Sequence, residues 1–185
     1  KTHFDIVQIM EESEQKIGER KTGVVLINTG SPASPDPCDI RPYLIEFLSD
    51  KNIIRVPHAI WLPILHGFIA RNRPKKTAPR YKKIWTDKGA PLLVESYAQR
   101  DALNDRFAAK HLPIVAGKPS IEEALESLSN QGCTSFVGFP LFPQTATCTV
   151  GTCKEKFLAV VPSPKNAGVI EGYANNPLYW KALAQ

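Results

Sequence analysis

Several signatures are scarce or missing. Cysteine occurs four times, at Cys38, Cys133, Cys148 and Cys153, and no two form a Cys-x-x-Cys pair. That scatter excludes a zinc-ribbon signature and a small disulfide scaffold; reduced thiols in a cytosolic protein are expected. No uninterrupted apolar run approaches the roughly 20 residues of a membrane-spanning helix. The opening stretch, Lys1 to Arg20, is polar and charged, without the apolar centre of a secretory leader. His3, His58, His66 and His111 show no His-Glu-x-x-His or similar metal spacing, and no Ser/His/Asp or Cys/His set assembles. Neither Gly-x-Gly-x-x-Gly nor Gly-Lys-Ser/Thr occurs, so dinucleotide and P-loop sites lack support.

What is present fits one α/β domain with a substantial core. The chain has 185 residues, 43% hydrophobic and 22% charged, an ordinary balance for a globular protein. Many of its 16 prolines fall between residues 32 and 91, which predicts a loop-rich stretch of short pieces. The net charge of +5 describes a mildly basic surface or an anionic partner.

Residues 1–20 read as an appended segment, with Phe4, Val7 and Met10 hinting at a short amphipathic helix; the domain proper runs from 21 to 185. Gly23 to Asn28 is almost wholly apolar and stops at Thr29-Gly-Ser-Pro32, as expected of a strand buried on both faces of a parallel sheet. Ile40, Tyr43, Leu44, Phe47 and Leu48 fall on one helical face, with Pro42 kinking or restarting the helix. Val94 to Lys110 is helical in composition, and Leu112 to Ala116 reads as a strand. From Ser120 to Gln131 the helix signal is clearest: Ser120 and Glu123 form a capping box, Ile121, Ala124, Leu125 and Leu128 an apolar stripe, and Gly132 a stop. Strands are predicted over Ser135–Leu141 and Ala167–Tyr173, and Asn176 with Pro177 begins a last helix. The order βα…βαβ(α)βα predicts a parallel sheet with helices on both faces. Ligands of such sheets sit beyond the carboxyl ends of the strands, which singles out the loops 28–32, 116–120 and 142–151.

Two surfaces and two loops carry candidate chemistry. Residues 53–70 are unusually apolar for a proline-broken segment; they pack on the core, form the lip of an apolar cleft or touch a bilayer surface. Arg71, Arg73, Lys75, Lys76, Arg80, Lys82 and Lys83 follow, interleaved with Tyr81, Ile84 and Trp85. Such a run is a solvated face, or a seat that suits a flat aromatic ligand bearing carboxylates as well as it suits nucleic acid. The Asn28–Pro32 turn permits close backbone approach to a ligand, while the hydroxyl-rich 144–151 segment suits capping the helix after it.

In order along the chain, these segments resemble the ferrochelatase family. The resemblance rests on Gly23–Pro32, Arg41–Asp50, Trp61–Gly67, Arg73–Lys76, Tyr81–Trp85 with Gly89–Leu92, Pro119–Leu125, Phe139–Gln144 and Thr149–Gly151, and it covers residues 22 to 185. It implies a Rossmann-like, chelatase-like three-layer domain that forms one wall of a porphyrin cleft, completed by a second such domain. It also implies insertion of ferrous iron, as substrate, into protoporphyrin IX or a coproporphyrin, with no separate cofactor and no nucleic-acid partner. The porphyrin-facing positions carried over are Asn28, Gly30, Ser31, Arg73, Tyr81, Thr147 and Thr149. The 53–76 stretch becomes a hydrophobic and basic lip, with Trp61, Leu62, Leu65 and Phe68 its apolar members. A cytoplasmic protein, peripheral at the membrane through that lip, follows.

The family's essential His and its partner Glu correspond to positions after Gln185, so no catalytic residue is named within this chain. The family's extra residues between Ala116 and Lys118 are missing; its Ser before Pro-Leu is Ala90, and its Tyr-Pro-Gln-Tyr is Phe142-Pro-Gln-Thr145. Cys148 is offset from an iron–sulfur ligand position of some members, and no cluster is expected. These departures leave a second reading open, a non-catalytic porphyrin- or haem-binding module derived from the enzyme.

Overall fold

The computed structural model describes residues 21–107, 114–116 and 120–184. The helix expected around Phe4, Val7 and Met10, the start of the strand expected from Leu112 and the shortened stretch at 117–118 lie outside the described residues. In chain order the elements are β1 (Thr22–Ile27), α1 (Pro37–Leu48), α2 (His58–Ile64), a π-helical segment (Leu65–Ile69), α3 (Ala70–Ile84), α4 (Pro91–Phe107), β2 (Ile114–Ala116) and α5 (Ile121–Asn130). β3 (Ser135–Pro140), a second π-helical turn (Thr147–Gly151), α6 (Thr152–Val160), a short 3-10 turn (Pro164–Asn166), β4 (Ala167–Val169) and α7 (Pro177–Leu183) complete it. The residues read as one domain divide into two compact units. One is built from the chain up to Asn28 together with Ser96–Gln185, and the other is Thr29–Glu95.

The first unit is the α/β body. Its sheet has the order β2-β1-β3-β4, and every neighbouring pair is parallel. β1 and β3 are buried at all positions, the outcome expected of apolar runs that lack polar alternation. Successive side chains of a strand point to opposite faces, so each sheet face has its own core. On one, Val24, Leu26, Val137 and Phe139 meet Leu103 and Phe107 of α4. On the other, Val25, Ile27 and Phe136 meet Ala124, Leu125 and Leu128 of α5 and Cys153 and Phe157 of α6.

Local chemistry places the helix ends. The Ser120 hydroxyl accepts from the Glu123 amide at 3.2 Å, and the Glu123 carboxylate accepts from the Ser120 amide at 2.8 Å, closing the capping box. Gly132, at φ 84°, turns the chain out of α5. Asn176 caps α7 by accepting from the Leu178 amide at 2.9 Å. β4 is shorter than the strand expected over Ala167–Tyr173. After the Ile170 amide bonds Gly138, the amides of Tyr173 and Ala174 turn to the Pro143 carbonyl, at 3.0 and 2.9 Å, and leave the sheet for the loop after β3.

The second unit corrects the expectation of a loop-rich, proline-broken stretch. Pro37 begins α1, where its missing N–H costs nothing, and Pro42 sits inside the helix without ending it. From His58 to Ile84 the chain is helical throughout, although Pro63 lies in α2 and Pro74 and Pro79 lie in α3. Each interior proline removes a backbone donor, at about 3 kcal/mol or more. Burial offsets it: Ala70, Pro74 and Ala78 form the inner face of α3, and Ala78 packs with Ile40 and Leu44 of α1. The π-helical segment sits between two proline-bearing stretches, a common place for a register change.

Candidate functional site

In the α/β body, the chain leaves β1 and β3 where an open parallel sheet presents ligands; residues 117–119 of the third predicted loop lie outside the described residues. Ile27 pairs with Pro140, and the Leu141 amide donates to the Ile27 carbonyl at 2.8 Å, so the chain leaves β1 and β3 side by side. Asn28 follows β1 directly and is half-buried. Thr147 and Thr149 follow β3 on the π-helical turn, the former exposed and the latter half-buried.

This turn does not work as the hydroxyl cap that its sequence suits. Ala146 occupies the cap position, and no side chain accepts there. Instead the Ala146 carbonyl accepts from the amides of Thr149 and Gly151, at 3.2 and 3.0 Å, and from the Thr149 hydroxyl at 3.4 Å. The wider turn takes over part of the capping that an Asx or Ser side chain ordinarily supplies. Thr145 is fastened elsewhere, its hydroxyl donating to the Glu171 carbonyl at 2.5 Å. Lys154 and Glu171 form an ion pair alongside.

In the helical unit, Gly30 stands at φ 75° in the turn after β1, and a Cβ there would meet nothing within 4 Å. Glycine is needed for the left-handed backbone rather than for space. Ser31 beside it is half-buried, and Pro32 is buried.

Arg73 and Tyr81 share α3. At 100° per residue, Arg73, Thr77 and Tyr81 follow one another along a single ridge, about 12 Å from first to last. Arg73 is exposed and, among the described residues, has no carboxylate partner. Tyr81 lies at the seam between the inner face and the basic outer face, packed on the Ile40, Leu44 and Ala78 cluster. Its ring meets Trp85 edge-on at 6.2 Å. Of the other basic residues, Lys82 reaches Asp36 at 3.6 Å, a solvent-exposed pair of little energetic weight.

The apolar lip is divided in the same unit. The Trp61 indole N–H donates to the Leu48 carbonyl at 2.7 Å, anchoring α2 on the end of α1. Leu65 is fully buried, so it supports the lip from behind, and Leu62 is half-buried. Phe68 is 68% exposed, and with it stand Ile60 and Ile64, at 60% and 46%. Sequence reasoning missed these two isoleucines, although their spacing of four residues to Phe68 was a readable helical stripe.

Among the described residues no three His, Cys, Asp or Glu side chains lie together in a way that could hold a metal ion. Among those residues, too, no helix is long and apolar enough to cross a membrane.

The sequence profile of the ferrochelatase family matches residues 21–185. A ferrochelatase of Bordetella pertussis is 42% identical over 183 residues, which cover 94% of this chain and 51% of the relative. Ferrochelatases of Proteus mirabilis and Aliivibrio fischeri are 40% and 38% identical, covering 90% and 91% of this chain and 53% of each relative. The chain spans about half the length of the curated relatives it matches.

Proposed function

The chain belongs to the ferrochelatase family, and from that premise we propose that it supplies one wall of a porphyrin site to an enzyme that inserts ferrous iron into protoporphyrin IX. The observation that carries this reading is the α3 ridge, with an exposed guanidinium at Arg73 and a phenol at Tyr81. A guanidinium pairs with a propionate carboxylate through two parallel hydrogen bonds, and a phenol adds a neutral donor. By family resemblance, Asn28, Gly30, Ser31, Thr147 and Thr149 are further porphyrin-facing positions in this reading.

The work of these residues is binding and orientation. They hold the macrocycle by its carboxylates while its ring is distorted; two pyrrole protons leave as the iron, a substrate, enters. Ile60, Ile64 and Phe68 give the exposed lip an apolar face beside the basic run on α3, a combination suited to peripheral contact with a membrane surface.

Titration of the chain with a dicarboxylic porphyrin, followed by absorbance, tests the reading. Saturable binding is expected, with Arg73→Ala weakening it by about tenfold, the worth of one charge-assisted contact. The porphyrin dimethyl ester should be insensitive to that change. Absence of saturable binding would overturn the proposal.

A non-catalytic porphyrin-binding module is the second reading. It is favoured by Ala90, which is buried and offers no hydroxyl, and by Thr145, whose hydroxyl is committed to Glu171. Anaerobic incubation of the complete gene product with porphyrin and ferrous iron separates the two. Haem formation supports the enzyme, and binding without metallation supports the module.

A further inference from the structure

Within the α/β body, the loop after β3 is fastened to the segment after β4 at three points. The Pro143 carbonyl accepts from the amides of Tyr173 and Ala174, at 3.0 and 2.9 Å. The Thr145 hydroxyl donates to the Glu171 carbonyl at 2.5 Å, and the Glu171 carboxylate pairs with Lys154 of α6. Between Thr145 and Lys154 lies the π-helical turn Thr147–Gly151, so the fastenings bracket it on both sides.

Gly172 makes the middle fastening possible. A Cβ at that position would lie 2.7 Å from the Thr145 hydroxyl oxygen and 3.1 Å from the Pro143 carbonyl oxygen. Among the described glycines, positive φ occurs at Gly30, Gly89 and Gly132, and not at Gly172. Glycine therefore stands at 172 for space, which lets the Thr145 side chain reach the backbone beside it. The three fastenings differ in kind. Lys154 and Glu171 are well solvated, and such a pair carries little energy. The Pro143 carbonyl is held by backbone donors. Thr145 is the fastening that a neutral side chain controls.

Resting on the porphyrin reading above, we propose that Thr145 is a positioning residue and Gly172 the space it needs: together they hold the turn on which Thr147 and Thr149 meet the tetrapyrrole. Thr145 touches no ligand itself, since its one proton goes to the Glu171 carbonyl. An unfastened turn spends part of its time away from the binding arrangement, and the apparent affinity falls with the fraction that remains in place. The role is the same in the enzyme and in the binding module, because both seat a porphyrin.

The test titrates the chain and its variants with a dicarboxylic porphyrin, at a temperature where all are folded. Thr145→Val keeps the side-chain shape but removes the donor, and Gly172→Ala drives a methyl group into the same contact. Each should weaken binding by roughly fivefold, the scale of one neutral hydrogen bond, and the double variant should be no worse than Gly172→Ala. Thr145→Ser, which keeps the hydroxyl, should bind as the parent does. In a background of Thr147→Ala with Thr149→Ala, Thr145→Val should cost nothing further. Parental binding by Thr145→Val, a Thr145→Ser variant as weak as Thr145→Val, or an undiminished loss in that background would overturn this inference alone. No saturable binding by the parent would sink the porphyrin reading and this inference with it. Hydrogen exchange checks the fastening without any ligand. The amides of Thr149 and Gly151, both bonded to the Ala146 carbonyl, should exchange about fivefold faster in Thr145→Val and at the parental rate in Thr145→Ser. The amides of α5 should be unchanged. Parental exchange of the turn in Thr145→Val would remove the fastening on which the inference stands, and equal acceleration in α5 would mark a merely structural role.

Discussion

Gly138 of β3 and Phe157 of α6 are in such close contact that a Cβ on the glycine would lie 3.1 to 3.3 Å from three carbons of the phenylalanine ring. The ring is fully buried and packed into the core between sheet and helix, so it has nowhere to retreat. Gly138→Ala should therefore destabilise the α/β body by about 1–3 kcal/mol, the usual cost of overpacking. Gly67→Ala makes the contrast: a Cβ there meets nothing within 4 Å, and the residue is helical. It should be neutral or stabilising by up to about 1 kcal/mol. Urea denaturation of the two variants checks both signs.

A second prediction concerns Trp61, whose indole donates to the last carbonyl of α1, that of Leu48. Trp61→Phe keeps an aromatic ring but leaves that carbonyl without this donor. The expected cost is about 1 kcal/mol of stability in the helical unit. Porphyrin binding at saturating concentration should be unchanged, because the indole serves the scaffold. A loss of binding without a loss of stability would place Trp61 on the ligand surface instead.

Legibility in the sequence followed how local the physical cause was. β1 and β3 were readable because an apolar run without alternation has one good home, the middle of a parallel sheet. The start of α5 was readable because Ser120 and Glu123 satisfy each other within four residues. The helix through Pro63, Pro74 and Pro79 was not, since local propensity argues against it and only the burial of Ala70, Pro74 and Ala78 reverses the balance. At the candidate site, Arg73 and Tyr81 were named by family resemblance, and periodicity then accounts for their common ridge. The burial of Leu65 and the seating of Tyr43 and Tyr81 on one shared cluster depend on which faces of two distant segments meet, and no single-segment pattern encodes that.

The exposed stripe of Ile60, Ile64 and Phe68 yields a third prediction. These side chains are largely solvated, so replacing Ile64 and Phe68 by Glu should shift the thermal midpoint little. The same double change should abolish cosedimentation with vesicles containing anionic lipid, by removing apolar area and adding repulsive charge beside the basic run. Equal cosedimentation of parent and variant would remove the lip from any membrane role.

The last prediction turns on Tyr173. Its ring stacks on Phe139 at 5.5 Å and meets Tyr179 edge-on at 5.4 Å. Burial first, and Tyr179 second, push its hydroxyl from the ordinary 10 up to about 12. In the unfolded chain the hydroxyl ionises near 10, while in the folded chain it keeps its proton longer. A folded value raised above the unfolded one contributes stability that is fully present below pH 10 and is lost as pH rises towards 12. Each tenfold change in an ionisation constant is worth about 1.4 kcal/mol, so the loss is at most roughly 2–3 kcal/mol, and less for a ring that solvent partly reaches. Urea midpoints of the parent should fall steeply between pH 10 and 12, whereas Tyr173→Phe, with no proton to lose, should fall less over the same range. Parallel pH profiles for the two proteins would show that Tyr173 ionises alike in both states, and that the stack on Phe139 does not hold its proton.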